Sequence, residues 1–311
     1  EILPEYRAQR KLNQVRIPDI KKYILNNRDT FVFSALSASV NGKMNFHPYN
    51  NQNLGELEID LDSTFLINDG QHRKAAIVEA IIDDSSLGEE TISIVLFEDQ
   101  GLQRSQQMFT DLNKHAINTS KSLNTLYDSR NPIAVFTKKL VDEIDFFRLY
   151  TDKEKDTLGK YSQKLFTLNN FHLANERIFS NLSQNDKTEK KVLKFWKQLS
   201  TEINEWNELK LKNITKKDLR SNYIITQGVV MLAFGKLGNF LLKNDQYSMD
   251  ITLKKLNDIN WQRNNPIWQG RTLRDGKIDK SERSINSTYI KIKELLNIEL
   301  SDTEKTLNNS I

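Results

Sequence analysis

An α+β fold is predicted for this 311-residue chain, with a small mixed α/β unit over residues 1–130 and a mostly helical, basic unit over 131–311. Two patterns predict it. Up to about residue 130, short β-branched or aromatic runs alternate with segments of helical spacing, the layout of an α/β unit. Beyond Asn131-Pro132 the spacing is helical in 133–149, 165–178, 192–206 and 224–242, with Asn-, Asp- and Lys-rich connectors between. A chain of this length buries a sizeable core, and no internal repeat or low-complexity tail interrupts it.

The opening Glu5-Tyr6-Arg7-Ala8-Gln9-Arg10-Lys11 run, continuing to Arg16, is polar and basic. Behind Pro18 and Asp19, apolar residues at 20, 23 and 24 predict a short helix. Residues 31–40 read as a strand, and Asn41-Gly42 before Met44-Asn45-Phe46 is a hairpin signal. Ile59 and Leu61 mark another short strand. Thr91 to Phe97 has the length and composition of a buried strand, and a helix with Ser105, Phe109, Leu112 and Ala116 on one side follows. Thr119 or Ser120 caps the next short helix, through Leu123 and Leu126.

The stretch from Phe65 to Val78 is the part built for chemistry. Phe65-Leu66-Ile67-Asn68 runs into Asp69-Gly70-Gln71-His72-Arg73, which opens into an Ala/Ile/Val-rich segment of helical spacing, so strand, turn and helix are expected, with the helix ending near Asp83-Asp84-Ser85-Ser86. Gly70 permits positive φ or the close approach of another group. The first helical turn offers unpaired N–H groups and the positive end of a dipole, and Arg73 adds a fork of donors suited to phosphate. Asp69 is placed to cap the helix or to hold a metal ion such as Mg²⁺, and His72 to titrate near neutral pH. An Asp-Gly turn before an amphipathic helix is also common without any ligand.

Cysteine is absent, which excludes disulfides and Cys-ligated zinc or iron–sulfur sites and fits an intracellular, cytoplasmic protein. The four histidines, His47, His72, His115 and His172, never fall three to five apart, which excludes a helix-borne zinc pair. No apolar run is long enough for a membrane span, and no targeting segment is expected. Residues 1–130 carry 14 Lys and Arg against 18 Asp and Glu; subtracting these from the totals of 45 and 41 leaves 31 against 23 for 131–311. The second unit thus holds the basic surface, which fits nucleic-acid contact or simply solvated helix faces. Within it, Asn260-Trp261-Gln262-Arg263-Asn264-Asn265-Pro266-Ile267-Trp268-Gln269-Gly270-Arg271-Thr272-Leu273-Arg274 interleaves Trp and Arg, and Lys277, Lys280 and Arg283 continue the charge. Two readings stand: Arg and Trp grip a DNA backbone and stack on bases, or Trp anchors a loop whose cations face solvent.

Asp69-Gly70-Gln71-His72-Arg73, together with Phe109-Thr110-Asp111-Leu112-Asn113-Lys114-His115-Ala116, Ser120-Lys121-Ser122-Leu123 and the Trp261 to Arg271 stretch, resembles the DGQHR-domain family, whose best-known members are the DndB proteins of bacterial DNA phosphorothioation. The resemblance implies a ParB/sulfiredoxin-like first unit. In it Gly70, Gln71, His72 and Arg73 form a phosphate-facing turn and Asn113, Lys114 and His115 a second wall. It also implies a negative transcriptional regulator of a phosphorothioate-modification operon. The ParB turn usually has two adjacent arginines, whereas here His72 precedes Arg73 and Lys74 follows.

Two functions, which do not exclude each other, are therefore expected. The first is a DNA-binding repressor acting on double-stranded promoter DNA through Arg263, Arg271, Arg274, Lys277, Lys280 and Arg283, with a nucleotide at the 69–73 turn and a homo-oligomer as its form. The second is an NTPase coupled to a DNA transaction such as nicking, using a nucleoside triphosphate with Mg²⁺. Arg73 would stabilise phosphate charge, Asp69 position the ion and His72 handle a proton or water.

Overall fold

A computed structural model describes residues 12–114, 119–159 and 162–309. The chain divides into two compact units, Glu1–Asn118 and Thr119–Ile311. The division falls ahead of the expected 130 because the helix Lys121–Tyr127 is tied to later chain. Asp156 accepts the backbone N–H groups of Lys121 and Ser122 at 2.7 and 2.8 Å, and Ser122 Oγ donates to Lys155 O at 2.9 Å. Helical spacing alone carries no information about which unit a helix joins.

In the first unit the order is α1 (Ile17–Asn26), β1 (Leu36–Asn41), β2 (Met44–Pro48), β3 (Gly55–Ile59), β4 (Thr64–Asp69), α2 (Gln71–Asp83), β5 (Ile94–Glu98) and α3 (Leu102–Lys114). β1 lies in the middle of a three-stranded sheet, antiparallel to β4 and parallel to β5. The expected hairpin at Asn41-Gly42 does not form. β2 pairs with β3 instead, Met44 opposite Ile59, so that β1–β2 and β3–β4 make one long ribbon with its tip at 49–54. Asn41-Gly42 marks a bend in that ribbon: a β-carbon on Gly42 would collide with Ser63, which directly precedes β4. Gly thus serves close approach here rather than a two-residue turn.

The apolar core of this unit is small, with Ile17 and Ile24 of α1 packed against Ala76 and Ala80 of α2 and against Leu87. β5 is a strand as expected but is not buried: Ile94 is 50% and Val95 44% exposed. It is a sheet edge, and an apolar run specifies a strand without specifying what covers it.

The second unit follows the order α4 (Lys121–Tyr127), α5 (Pro132–Glu143), α6 (Asp145–Tyr150), β6 (Thr151–Asp152), β7 (Phe166–Thr167), α7 (Leu168–Phe179), α8 (Asp186–Glu202), α9 (Asn204–Lys210), α10 (Lys216–Asn222), α11 (Gly228–Lys243), α12 (Met249–Lys254), β8 (Leu273–Arg274), β9 (Lys277–Ile278), α13 (Glu282–Leu295) and α14 (Asp302–Asn309). Ser120 caps α4, its Oγ accepting Leu123 N–H at 3.0 Å. The strands are two-residue pairs, so the unit is helical in substance.

α7 and α11 form its centre. A β-carbon on Gly235 would lie 2.5 Å from Ala174 O, and one on Gly238 would lie 3.1 Å from Ile178. Both pairs of positions ascend together, so the two helices run in the same direction, and glycine lets their backbones touch. Around them Phe147, Phe166, Phe171, Trp196 and Trp206 are fully buried, Phe147 and Phe171 with ring centres 4.7 Å apart. Lys293, 2% exposed, pairs with Glu304 at 2.7 Å and lies over the Phe240 ring, so its charge is met on one side by a carboxylate and on another by a π face.

Trp261 and Trp268 are fully buried and stacked, with ring centres 5.3 Å apart and planes at 9°. They cannot stack on bases, and the anchored-loop reading of 260–274 replaces the gripping one. Trp268 Nε1 donates to Asn260 O at 2.9 Å. Burial raises the Glu205 carboxyl above its ordinary value, although its own backbone and that of Trp261 donate to it. A raised folded-state value contributes stability below the unfolded value that is lost as pH rises through the folded one. Glu205→Gln, which keeps an acceptor without the charge, is therefore expected to unfold at a higher temperature than the parent at pH 7. The two melting curves should converge near pH 4.

Candidate functional site

The 65–78 stretch folds as strand, turn and helix. Along β4, Ser37 pairs with Asp69 and Ala38 with Ile67, so Asn68 is the extra residue of a β-bulge. Its side chain turns inward, 2% exposed, and Nδ2 donates to Ser39 Oγ at 2.6 Å and to Met108 Sδ at 3.2 Å. Asn68 Oδ1 is buried with no partner among the described residues. Gly70 takes φ 93° and ψ 14° and forms the N-cap of α2. A β-carbon there would run into Leu36 and approach Arg73 Nη2 at 3.1 Å, so both permissive roles of glycine operate at this residue.

Asp69 does not cap the helix. The first turn of α2 has no side-chain cap, and Asp69 Oδ2 instead accepts from Arg73 Nη2 at 2.7 Å. The i,i+4 geometry of these two residues explains the choice, since a carboxylate one position before the cap reaches a guanidinium one turn on more readily than the first amides. Arg73 Nη1 donates to Ser34 O and Ser34 Oγ, so the guanidinium clamps the segment entering β1 to the start of α2. His72 is 8% exposed, and its Nε2 accepts the backbone N–H of Asn13 at 2.9 Å. That bond puts a proton donor against Nε2 and leaves the ring proton on Nδ1.

A cleft of about 250 Å³ opens beside the turn, lined by Asn68, Asp69, Gly70, Gln71, His72 and Arg73 together with Arg16 and Ile20 from the start of α1 and Phe109 of α3. Four adjacent turn residues named from sequence, Gly70, Gln71, His72 and Arg73, thus share one wall. The side chains of Asn113 and Lys114, at the end of α3, and the whole of His115 lie outside the described residues. Sequence reasoning missed Arg16, Asn68 and Phe109. Asn68 carried a signal, being an amide inside an otherwise apolar strand end, whereas Arg16 was lost in a generally basic run. No group of three or more Asp, Glu or His able to hold a metal occurs among the described residues.

The six basic residues named from sequence separate into two sets. Arg263 and Arg271 are half-buried and reach protein acceptors, Arg271 Nη2 donating to Asn308 Oδ1 at 2.8 Å. Arg274, Lys277, Lys280 and Arg283 are exposed along β8, β9 and the start of α13. Arg274 lies 3.5 Å from the largely covered Asp279 carboxylate, whose charge also acts on Arg283.

A family model described as DndB, DNA-sulfur modification-associated, matches residues 1–299. The chain belongs to the DndB family. Both units fall within the match, and membership associates this DndB chain with the sulfur modification of DNA. No curated protein and no solved structure matches it. No helix is long and apolar enough to cross a membrane among the described residues.

Gly70→Ala is expected to cost about 1–3 kcal/mol, from strain at positive φ added to the clash with Leu36. Denaturant unfolding followed by circular dichroism measures it, and a variant as stable as the parent would show that the turn relaxes without cost.

Proposed function

We propose that this DndB-family protein is a DNA-binding regulator of a DNA sulfur-modification operon. The exposed cations Arg274, Lys277, Lys280 and Arg283, gathered on one short stretch of the second unit, are the observation that carries this reading. A surface of this kind neutralises backbone phosphates and releases counterions, which supplies affinity without reading bases. Double-stranded promoter DNA is the partner it fits. Binding of a promoter fragment in a gel-shift titration should weaken steeply with salt. The triple variant Arg274→Ala, Lys277→Ala, Arg283→Ala should flatten the log–log salt slope by about 0.9 for each phosphate that is no longer neutralised. A fragment that is not shifted, or is shifted equally at all salt concentrations, contradicts the reading.

The cleft at the 69–73 turn supports a second component, a nucleotide phosphate as regulatory ligand. Its floor is the uncapped start of α2, where N–H groups favour an anion, and Arg73 neutralises the neighbouring Asp69 carboxylate that would otherwise repel it. Mg²⁺ would accompany a nucleoside triphosphate there, and turnover rather than simple binding would make the protein an NTPase. Phosphate release from ATP by the parent and by Arg73→Ala separates the two: a rate at least about 100-fold lower in the variant indicates hydrolysis at this turn, and equal rates remove the turn from any such chemistry.

A further inference from the structure

The second unit contains a cavity of about 560 Å³ whose lining joins Lys121 and Lys280, from separate stretches singled out in the sequence, to residues that no motif marks. It lies where the N-terminal ends of α7, α11 and α13 come together: Thr167 is the cap of α7, Gln227 and Gly228 are the cap and first residue of α11, and Lys280 directly precedes the Ser281 cap of α13. The parallel run of α7 and α11 brings two of these ends to one place. Each helix is at least twelve residues long, so each presents the full positive end of a dipole. Lys121, Arg220 and Lys280 line the same cavity, and Asp156 is the one acid among its described lining residues. Asp156 is already engaged by the backbone N–H groups of Lys121 and Ser122. The net charge of the lining is therefore positive.

The α11 end carries a polar group without a partner among the described residues. Thr226, 5% exposed, lies in the cavity wall, and its buried hydroxyl has no hydrogen-bond partner among the described residues. α11 has no side-chain cap, whereas α7 and α13 are capped by Thr167 and Ser281. A buried hydroxyl without a partner costs free energy that a bound acceptor would return. Gly228 keeps the entrance to the first turn clear, with the Asn170 amide already 3.0 Å from where a β-carbon would sit. Arg220 donates to Leu158 O and Ser162 O at 3.1 and 3.2 Å, which uses two of its five N–H groups and fixes the guanidinium plane. Leu158, Leu165, Leu173, Val229 and Leu232 supply apolar lining.

We propose that this cavity binds a phosphorylated small molecule of mononucleotide size, with the phosphate at the start of α11 between Thr226, Lys121, Arg220 and Lys280 and the organic body against the apolar lining. The volume falls within the range of small-molecule sites and exceeds what a free phosphate needs. The site is separate from the cleft at the 69–73 turn and stands whether or not that cleft takes a nucleotide.

Isothermal titration of the full chain with AMP, with inorganic phosphate and with a short DNA duplex tests it. AMP is expected to bind and inorganic phosphate to bind more weakly. Thr226→Val, which removes the hydroxyl at constant shape, and Lys121→Ala should each weaken AMP binding by about 10-fold, while Thr226→Ser and the exposed-site control Lys254→Ala retain it. Melting temperatures of the variants identify any that fail to fold, and Thr226→Ser then carries the comparison against Thr226→Val. Absence of AMP binding overturns the proposal, as does parental affinity in Thr226→Val and Lys121→Ala. Displacement of AMP by the duplex, with Thr226→Val weakening the duplex as well, would make the occupant a DNA phosphate and overturn the small-molecule assignment.

Discussion

The contact of α11 with α7 is the constraint from which the second unit follows. Gly235 against the carbonyl of Ala174 allows backbone contact that any side chain at 235 would prevent. Because the helices run in the same direction, their caps lie at one end and their C-termini at the other. A pair of antiparallel helices cancels its dipoles at each end, whereas a parallel pair adds them. The aromatic cluster around Phe147, Phe171 and Trp196 packs on the same two helices, so core and cavity have one origin.

The first unit is held differently. Its apolar core is small, and polar side chains carry much of its interior: Ser39 and Asn68 bond across the sheet, and Arg73 joins Ser34, Ala35 and Asp69. An arginine with so many protein acceptors is first an organiser of the turn. Its charge still acts at the cleft, because field does not require contact, but its donors are not all free for a ligand. Asp69 has likewise become the partner of Arg73 rather than a helix cap, which leaves the α2 amides uncovered.

Much of this was legible locally. The 65–78 junction, the Ser120 cap and the principal helices follow from short-range patterns that the backbone must satisfy whatever surrounds it. The ribbon was not legible, because Asn41-Gly42 is as good a bend as a turn and the choice depends on Ser63, the residue before β4. Burial of β5 was misjudged, and the two readings of Trp261 and Trp268 stayed open, for one reason: composition reports what a residue is, and burial depends on which other elements arrive. The α11 cavity draws on Lys121, Arg220, Thr226 and Lys280, which lie up to 159 positions apart and form no pattern along the chain. DndB-family membership was legible from the motifs around Asp69 and Trp261, which carry local chemistry that composition lacks.

The four tryptophans, Trp196, Trp206, Trp261 and Trp268, all belong to the second unit and are all fully buried. Intrinsic tryptophan emission is therefore a reporter of one half of the molecule. Opening of the α7–α11 core would shift and dim it, while a rearrangement confined to the 69–73 turn would leave the emission unchanged. The protein carries its own optical label, and the label distinguishes its two halves without any dye.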